Sequence, residues 1–134
     1  MGAKYYVGTS GWVYPHWRNV FYPPKLARSK WLEFYTDHFS TVELNNSFYR
    51  LPSDRSFSKW HDSSPDGFRY AVKVSRFITH MKRLKDIDEP LETFINRARN
   101  LSEKLGPLLY QLPPNMHRND ELLERFLTAL PSEF

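Results

Sequence analysis

The sequence predicts an α/β fold in which about four βα units build part of a parallel (βα) barrel. β-rich runs alternate with helical periods along the 134 residues, and no two-residue hairpin turn joins any pair of these runs. Strands that are separated by helices need crossover connections and are therefore parallel. The polar alternation of the central strands favours a barrel over a doubly wound sheet, whose central strands are apolar on both faces.

Four runs carry the strand signals. The first closes at Gly11, the third follows the turn Pro65-Asp66-Gly67, and the fourth lies between Gly106 and Pro113-Pro114. In each central run one face is apolar and the other carries polar side chains, as barrel interiors do near a catalytic mouth. The predicted strands are Tyr5–Ser10, Thr41–Phe48, which begins as clean strand before polar residues take over, Arg69–Ser75 and Pro107–Leu112.

Helical periods fill the segments between the strands and follow the last one. Asp88 and Gly106 are the predicted cap and stop of the longest helix, and Ser53 and Asn119 are caps of two others, the last of which ends at Pro131. The positions that recur at three- and four-residue intervals are Trp31, Phe34, Tyr35, His38 and Phe39; Phe57 and Trp60; Leu91, Phe94, Ile95, Ala98, Leu101 and Leu105; and Leu122, Leu123, Phe126, Leu127 and Leu130.

The chain is short for the fold it predicts. A complete barrel of eight βα units takes about 250 residues. We expect residues 1–134 to form a single domain with about four such units. A four-stranded half has two open edges and an exposed polar inner face. Three explanations stay open: the chain is the N-terminal half of a longer barrel, two copies close a barrel by self-association, or the half is metastable.

Composition restricts the classes of function. The chain has no cysteine, which excludes disulfides, thiolate metal ligands and thiol nucleophiles. It shows neither a secretory signal nor an apolar run long enough for a membrane span, so we expect a cytoplasmic protein with no membrane partner. The formal charge of +4 favours anionic partners, either small molecules or nucleic acid. The histidines lack a metal-ligand spacing, so we predict no metal site, and no cofactor is indicated.

Several motifs resemble the family of proteins of unknown function called DUF72, or YecE-like. They are GTSGWVYPHW from Gly8 with FYP from Phe21, WLEFY from Trp31, TVELNNSFYRLP from Thr41, ITH from Ile78 and KLGPLLYQLPP from Lys104. The resemblance runs in order from about residue 5 to the C-terminus. It implies a TIM-type barrel in a protein roughly twice this length, and it implies no catalytic residues.

In such barrels the functional face is where strands end and βα loops begin. The segment RFITHMKRLK, from Arg76 to Lys85, is the densest basic run in the chain. We interpret it either as a solvated loop or as an anion site, because arginine and lysine attract phosphate and carboxylate. The candidate ligand-binding residues at this face are Trp12, Tyr14, Asn45, Arg50, Arg76, His80, Arg83 and Gln111.

Glu43 and Lys73 are the candidate catalytic residues. Both have the parity of the barrel interior, together with Asn45 and Gln111. Lys73 could act as a general base or as a Schiff-base nucleophile, with Glu43 transferring protons. The alternative is a structural ion pair that fills the barrel.

The aromatic segment after the first strand also has two interpretations. Trp17, Phe21 and Tyr22 are expected to form a mini-core that docks the first helix, whereas Trp12 and Tyr14, nearest the strand end, are expected at the mouth. Two functional hypotheses follow. One is an enzyme that binds a small anionic, phosphorylated metabolite; the other is a nucleic-acid-binding or processing protein that uses a basic loop and stacking aromatic rings.

Overall fold

The computed structural model describes residues 2–134, and its four strands form one parallel sheet in the order β1-β2-β3-β4. The predicted alternation of four parallel strands with helices is therefore confirmed. The sheet does not close, so β1 and β4 are its two edges. The strands are β1 (Gly8–Ser10), β2 (Thr41–Leu44), β3 (Arg69–Lys73) and β4 (Leu105–Leu109).

Five α-helices accompany the strands in the described chain. The Ser53 hydroxyl accepts a hydrogen bond from the amide of Ser56, and the Asn119 side chain accepts one from the amide of Leu122, which confirms both predicted caps. Across residues 2–134, the helices include none with the length and apolar character that a membrane crossing requires. The helices are α1 (Trp31–Thr36), α2 (Asn46–Tyr49), α3 (Asp54–Asp62), α4 (Asp88–Ala98) and α5 (Asp120–Ala129).

The core lies between the helices and one face of the sheet. The side chains of β2 and β3 alternate between buried and partly exposed, which confirms the predicted division into two faces. Complete burial of one such apolar side chain stabilises a fold by about 1.5–3 kcal/mol. The helix-facing side chains at the centre of the sheet are Val42, Leu44, Tyr70, Val72 and Val74, each 1% exposed or less.

Several boundaries differ from the sequence prediction. β4 begins two residues early, at Leu105, so Gly106 lies inside a strand and does not stop a helix. A Cβ at Gly106 would lie 2.8 Å from the carbonyl oxygen of Tyr70, so glycine is needed there for close strand pairing. α4 ends at Ala98, and a 3₁₀ segment that contains Ser102 with φ 51° leads into β4. β1 covers only Gly8–Ser10 of the predicted run.

The segment after β3 is the largest departure from a simple loop. Residues Phe77–Met81 form a π-helical turn, and the side chains of Ile78 and Thr79 within it are buried. Arg83, Leu84 and Asp86, which follow, all have positive φ angles, which non-glycine residues rarely adopt. Leu84 is only 4% exposed, so burial of its side chain holds this backbone conformation in place.

The aromatic segment after β1 docks α1, as predicted. The ring of Tyr22 stacks on Trp31 at a centroid distance of 4.5 Å, and Phe21 packs on Phe34 at 5.2 Å. Trp17 lies 5.7 Å from Phe21 and 5.9 Å from Tyr22. Burial raises the pKa of the Tyr22 hydroxyl well above its ordinary value, with a smaller contribution from nearby Tyr35. The neutral phenol donates a hydrogen bond to the Trp12 carbonyl.

Candidate functional site

The short helix α2 is fastened to the carboxyl ends of β2 and β3 by Ser47. This side chain is fully buried, and its hydroxyl oxygen lies 2.6 Å from the carbonyl oxygen of Lys73 and 2.9 Å from that of Leu44. The next residue, Phe48, is 8% exposed. The two strand ends and the Phe48 ring therefore form one support, because Ser47 and Phe48 are both buried and Ser47 contacts the carbonyl groups of both strands.

Lys73 extends over this support. Its ammonium nitrogen lies 4.3 Å from the centroid of the Phe48 ring, within the range of a cation–π contact. The His80 ring meets the same Phe48 ring edge-on at 5.0 Å, and His80 Nδ1 lies 2.8 Å from the Thr79 hydroxyl. Lys73, Phe48 and His80 thus form a cluster that joins β3, α2 and the π-helical turn.

Further basic side chains surround this cluster. The Arg76 guanidinium lies 5.8 Å from the ring of Tyr49, which is 62% exposed, and Arg50 is exposed at the end of α2. Arg83 donates hydrogen bonds to the Asn115 carbonyl oxygen at 3.2 Å and to its side-chain oxygen at 3.4 Å. Arg83 therefore ties the segment after β3 to the segment after β4.

Glu43 lies on the same inner face but has a different partner. The Ser10 hydroxyl donates to Glu43 Oε1 at 3.2 Å, and the Gly11 amide donates to the Glu43 carbonyl at 2.8 Å. The Tyr14 hydroxyl donates to the Ser10 carbonyl. Gly11 has φ +72°, and a Cβ there would lie 3.0 Å from the Tyr14 hydroxyl, so the β1 exit needs glycine. No ion pair joins Glu43 to Lys73 among residues 2–134.

Four of the predicted ligand-binding residues, Tyr14, Trp12, Gln111 and Asn45, lie outside this cluster and the basic side chains around it, and the Tyr14 ring packs on Trp17 at 4.7 Å. Trp12 is buried in the core at 9% exposure, with its ring edge-on to Trp60 at 5.9 Å, so most of its ring surface is already covered by the fold. The hydrogen bond from Tyr22 to the Trp12 carbonyl fixes the backbone in that position. Gln111 is exposed beyond the end of β4, and Asn45 is half-buried at the start of α2.

The cations at this end of the sheet lack carboxylate partners. The six ion pairs of the described residues involve Lys30, His61, Arg99, Arg118 and Arg125, and none of these residues lies at the carboxyl ends of the strands. Lys73 and Arg76 contact aromatic rings instead. Their positive charge is therefore not neutralised within the part of the chain that the structure describes.

The family model described as "Protein of unknown function DUF72" matches residues 6–134, almost the whole chain. The chain belongs to the DUF72 family. The chain is 32% identical to the UPF0759 protein YecE of Escherichia coli K12 over 130 residues, which are 96% of this chain and 45% of YecE. It is 36% identical to the UPF0759 protein YunF of Bacillus subtilis over 115 residues, 81% of this chain and 40% of YunF. The chain thus spans less than half the length of these DUF72 relatives.

Solved DUF72 structures share the fold. A DUF72 family protein from Thermotoga maritima superposes with a TM-score of 0.76 at 35% identity, over 92% of this chain and 50% of that one. A DUF72 family protein from Enterococcus faecalis, at 23% identity, gives a TM-score of 0.63 over 72% of this chain and 37% of that one, and it supports the fold alone. The open four-stranded sheet is therefore a half of the TIM-barrel-like DUF72 fold.

Sequence reasoning missed two features of this DUF72 site. Ser47 and Phe48 carry the central contacts, although only their neighbours Asn45 and Arg50 were singled out. The signal was the serine–aromatic pair directly after Asn45 and Asn46, the two asparagines that follow the strand. The π-helical turn was also missed, although Ile78 among basic residues already indicated a buried position.

The cleft in the surface and the basic cluster lie in different places. A cleft of about 970 Å³ lies on the helix side, between Leu84–Asp88 and α5, whereas the basic cluster lies at the rim of the open inner face. The basic cluster is the better candidate site, because four strands of a barrel enclose no cavity of their own. Among residues 2–134, no three His, Asp or Glu side chains are grouped as a metal site would need.

Proposed function

We propose that the carboxyl end of the sheet binds a small anionic metabolite that carries a phosphate group. The observation that carries this proposal is the ammonium group of Lys73, which lies 4.3 Å above the Phe48 ring and has no carboxylate partner among residues 2–134. A partly desolvated cation of this kind gains more from an anion than a solvated surface lysine does. Arg76 and His80 are the additional donors for the same ligand.

The position of the cluster supports a ligand site over a structural role. TIM-type barrels bind their ligands at the carboxyl ends of the strands, and β2 and β3 both end at this cluster. The support is rigid, because Ser47 is fully buried and joins both strand ends. A site with a fixed first contact loses little side-chain entropy when a ligand binds.

Glu43 and Lys73 are the groups proposed for chemistry on the bound ligand. Lys73 is the candidate nucleophile or base, and Glu43, held by the Ser10 hydroxyl at 3.2 Å, is the candidate for proton transfer. No ion pair joins the two side chains in the described chain, so both are available to contact a ligand, and Lys73 must first lose its proton before it can act as a nucleophile or base.

Ligand-induced stabilisation tests the binding proposal. Thermal unfolding is measured with inorganic phosphate, a phosphorylated sugar and a nucleoside monophosphate, each against chloride at equal ionic strength. A ligand at ten times its dissociation constant stabilises the folded state by about 1.4 kcal/mol. We expect a rise of a few degrees with at least one phosphate compound and its loss in Lys73→Met.

Lys59→Met is the matched control for this experiment, because it removes the same charge from an exposed position on α3. It should keep the full rise. An equal loss in both variants would show that net charge alone attracts phosphate. No rise with any of the three ligands would contradict the proposal.

A second candidate function is the binding of single-stranded nucleic acid. It is supported by two exposed rings that each carry a cation: Tyr49 beneath Arg76, and Phe77, 40% exposed, beneath Lys82 at 5.9 Å. Bases stack on such rings with about 1–3 kcal/mol each. Fluorescence anisotropy of an oligonucleotide across a salt series should show affinity that falls steeply with salt and drops in Tyr49→Ala. Absence of binding at low salt would contradict this function.

A further inference from the structure

We propose that a pocket beside the basic cluster binds a nucleobase with an exocyclic amino group, so that the phosphorylated ligand is a nucleoside monophosphate such as adenosine monophosphate. This inference rests on the proposed anion site and names the class of metabolite that the site binds. The pocket has a volume of about 310 Å³. Ligand pockets commonly have volumes of about 300–1,000 Å³, and a nucleobase is small enough to enter a pocket of this size.

Three segments from the middle of the chain form the apolar part of the pocket: Leu51 follows α2, Ile78 belongs to the π-helical turn, and Phe94 lies on α4. Ile78 and Phe94 are each 1% exposed, so they belong to the core of the fold. The floor of the pocket is therefore formed before any ligand binds, as is usual for small-molecule sites.

Phe77 supplies an aromatic wall whose backbone is held in place. The Phe77 amide donates a hydrogen bond to the Ser75 hydroxyl at 3.2 Å, and the Ile78 amide donates one to the Ser75 carbonyl at 3.0 Å. The Phe77 side chain lines the pocket and is 40% exposed. Such a ring provides a stacking surface for any base, because every base has a π-face. The choice between bases therefore depends on the polar groups of the pocket.

Glu89 and Thr93 form the polar side of the pocket. They are four residues apart on α4 and therefore share one face of the helix. Glu89 takes part in none of the six ion pairs among residues 2–134. An ionised carboxylate only accepts hydrogen bonds, so it favours an amino group over a carbonyl oxygen. Adenine has such an amino group, whereas hypoxanthine, the base of inosine, has a carbonyl oxygen at the same position.

The rim of the pocket is basic. Arg76 lies in the chain between Ser75 and Phe77, which both line the pocket, and consecutive Cα atoms are about 3.8 Å apart. The Arg76 side chain therefore starts at the pocket wall. The Lys82 ammonium lies 5.9 Å from the centroid of the Phe77 ring. A nucleotide whose base enters the pocket thus has its phosphate near the cations of the proposed anion site, which gives charge complementarity.

Isothermal titration calorimetry of the 134-residue chain at constant ionic strength tests the pocket. The ligands are adenosine monophosphate, inosine monophosphate, a ribose phosphate and inorganic phosphate. We expect adenosine monophosphate to bind about tenfold more tightly than ribose phosphate, because stacking of one base contributes about that much. It should also bind more tightly than inosine monophosphate. Glu89→Gln should remove this second preference, because an amide can donate to the carbonyl oxygen of inosine.

Thr93→Trp fills the pocket from an exposed position on α4. It should weaken the binding of adenosine monophosphate about tenfold and leave that of inorganic phosphate unchanged. Thr128→Trp is the matched control, because it places the same side chain at an exposed threonine on α5, and it should change neither affinity. Phe77→Leu should weaken adenosine monophosphate, whereas Phe77→Tyr keeps a stacking ring and should preserve the affinity.

The failure of the pocket and the failure of the anion site give different results. Equal affinities for adenosine monophosphate, ribose phosphate and inorganic phosphate would overturn the pocket and leave the anion site in place. No binding of any of these compounds would overturn both proposals. Equal weakening of adenosine monophosphate and inorganic phosphate in Thr93→Trp, or no preference for adenosine over inosine, would also overturn the pocket.

Discussion

The charged side chains at the two ends of the sheet make different kinds of contact. At the amino end, before β4, the Lys104 ammonium is 3% exposed and donates to the carbonyl oxygens of His61 and Ser64, both at 2.6 Å. At the carboxyl end, the Lys73 ammonium lies over a ring face and forms no ion pair with Glu43 in the described chain, and Glu43 accepts a hydrogen bond from Ser10. The first arrangement uses charge to complete the fold, whereas the second leaves charge available for a ligand.

At the amino end, both ring nitrogens of His61 also have hydrogen-bond partners. Its two ring nitrogens lie 2.9 Å from carboxylate oxygens of Asp62 and Glu103. Ionised carboxylates only accept hydrogen bonds, so the protonated ring, in which both nitrogens donate, is the form that satisfies both contacts. These hydrogen bonds raise the pKa of His61, and the pKa of Glu103 is lowered first by the hydrogen bond from its own backbone amide and then by the contact with His61. Barrels commonly place stability at this end and chemistry at the other.

The largest expected effect is on stability, and it appears when one lysine at each end of the sheet is replaced by methionine in separate variants. Lys104→Met leaves the His61 and Ser64 carbonyl groups without their donor and should lower the free energy of unfolding by about 3 kcal/mol. Lys73→Met removes one cation–π contact and should cost about 0.5–1 kcal/mol. Urea denaturation of both variants measures the difference. Equal losses would show that Lys73 is also a structural residue.

Ser47→Ala should have the next largest effect. The substitution removes a buried hydroxyl that contacts the carbonyls of Leu44 and Lys73, which costs about 1–2 kcal/mol. It should also weaken phosphate binding, because the support beneath Lys73 loosens. Ser58→Ala on α3 is the control and should be neutral or slightly stabilising. Unchanged phosphate affinity in Ser47→Ala would contradict the role of a rigid support.

The pH dependence of His61 is a smaller effect with a definite sign. The pKa of His61 is raised in the folded chain from its ordinary value of 6.5, so its stabilising contribution is complete below pH 6.5. That contribution is lost as the pH rises through the folded pKa. Urea denaturation between pH 6 and 8.5 should therefore show the advantage of wild type over His61→Gln shrinking with pH. A difference that stays constant would contradict the protonated ring.

Glu43→Gln should have the smallest effect on stability. The amide oxygen still accepts the hydrogen bond from Ser10, and the side chain makes no ion pair in the described residues, so the change should stay within about 0.5 kcal/mol. Thermal unfolding with Ser10→Ala as the companion variant measures it. A large loss would mean that Glu43 stabilises the inner face rather than serving a ligand.

The sequence predicted the architecture because its signals are local. The caps Ser53 and Asn119 and the alternation of Val42 with Glu43 each depend on neighbours within a few residues. The placement of Trp12 could not be predicted in this way. Its burial depends on Trp60, far away in the chain, and on the Tyr22 hydroxyl. Hydrophobic periodicity gives no information about contacts between residues that are far apart in the chain.

The candidate site was predicted only in part, for a similar reason. The inward parity of Glu43 and Lys73 follows from strand alternation, but the choice of partner does not. The Lys73 ammonium contacts the Phe48 ring because Ser47 holds α2 across two strands. Glu43 accepts a hydrogen bond from Ser10 on β1. The start of β4 at Leu105 was missed because Gly106 acts through close approach to Tyr70, which no local pattern reveals.

An NMR titration of the chain with inorganic phosphate at constant ionic strength tests the contrast between the two ends most directly. Shifted amide signals should be confined to Asn45–Arg50 and Lys73–Arg83, where the cations lack carboxylate partners in the described chain. The signals around His61 and Lys104 should stay in place, because their hydrogen bonds are already satisfied. Shifts spread evenly over exposed basic residues, or centred on the amino end, would contradict a selective anion site at the carboxyl end.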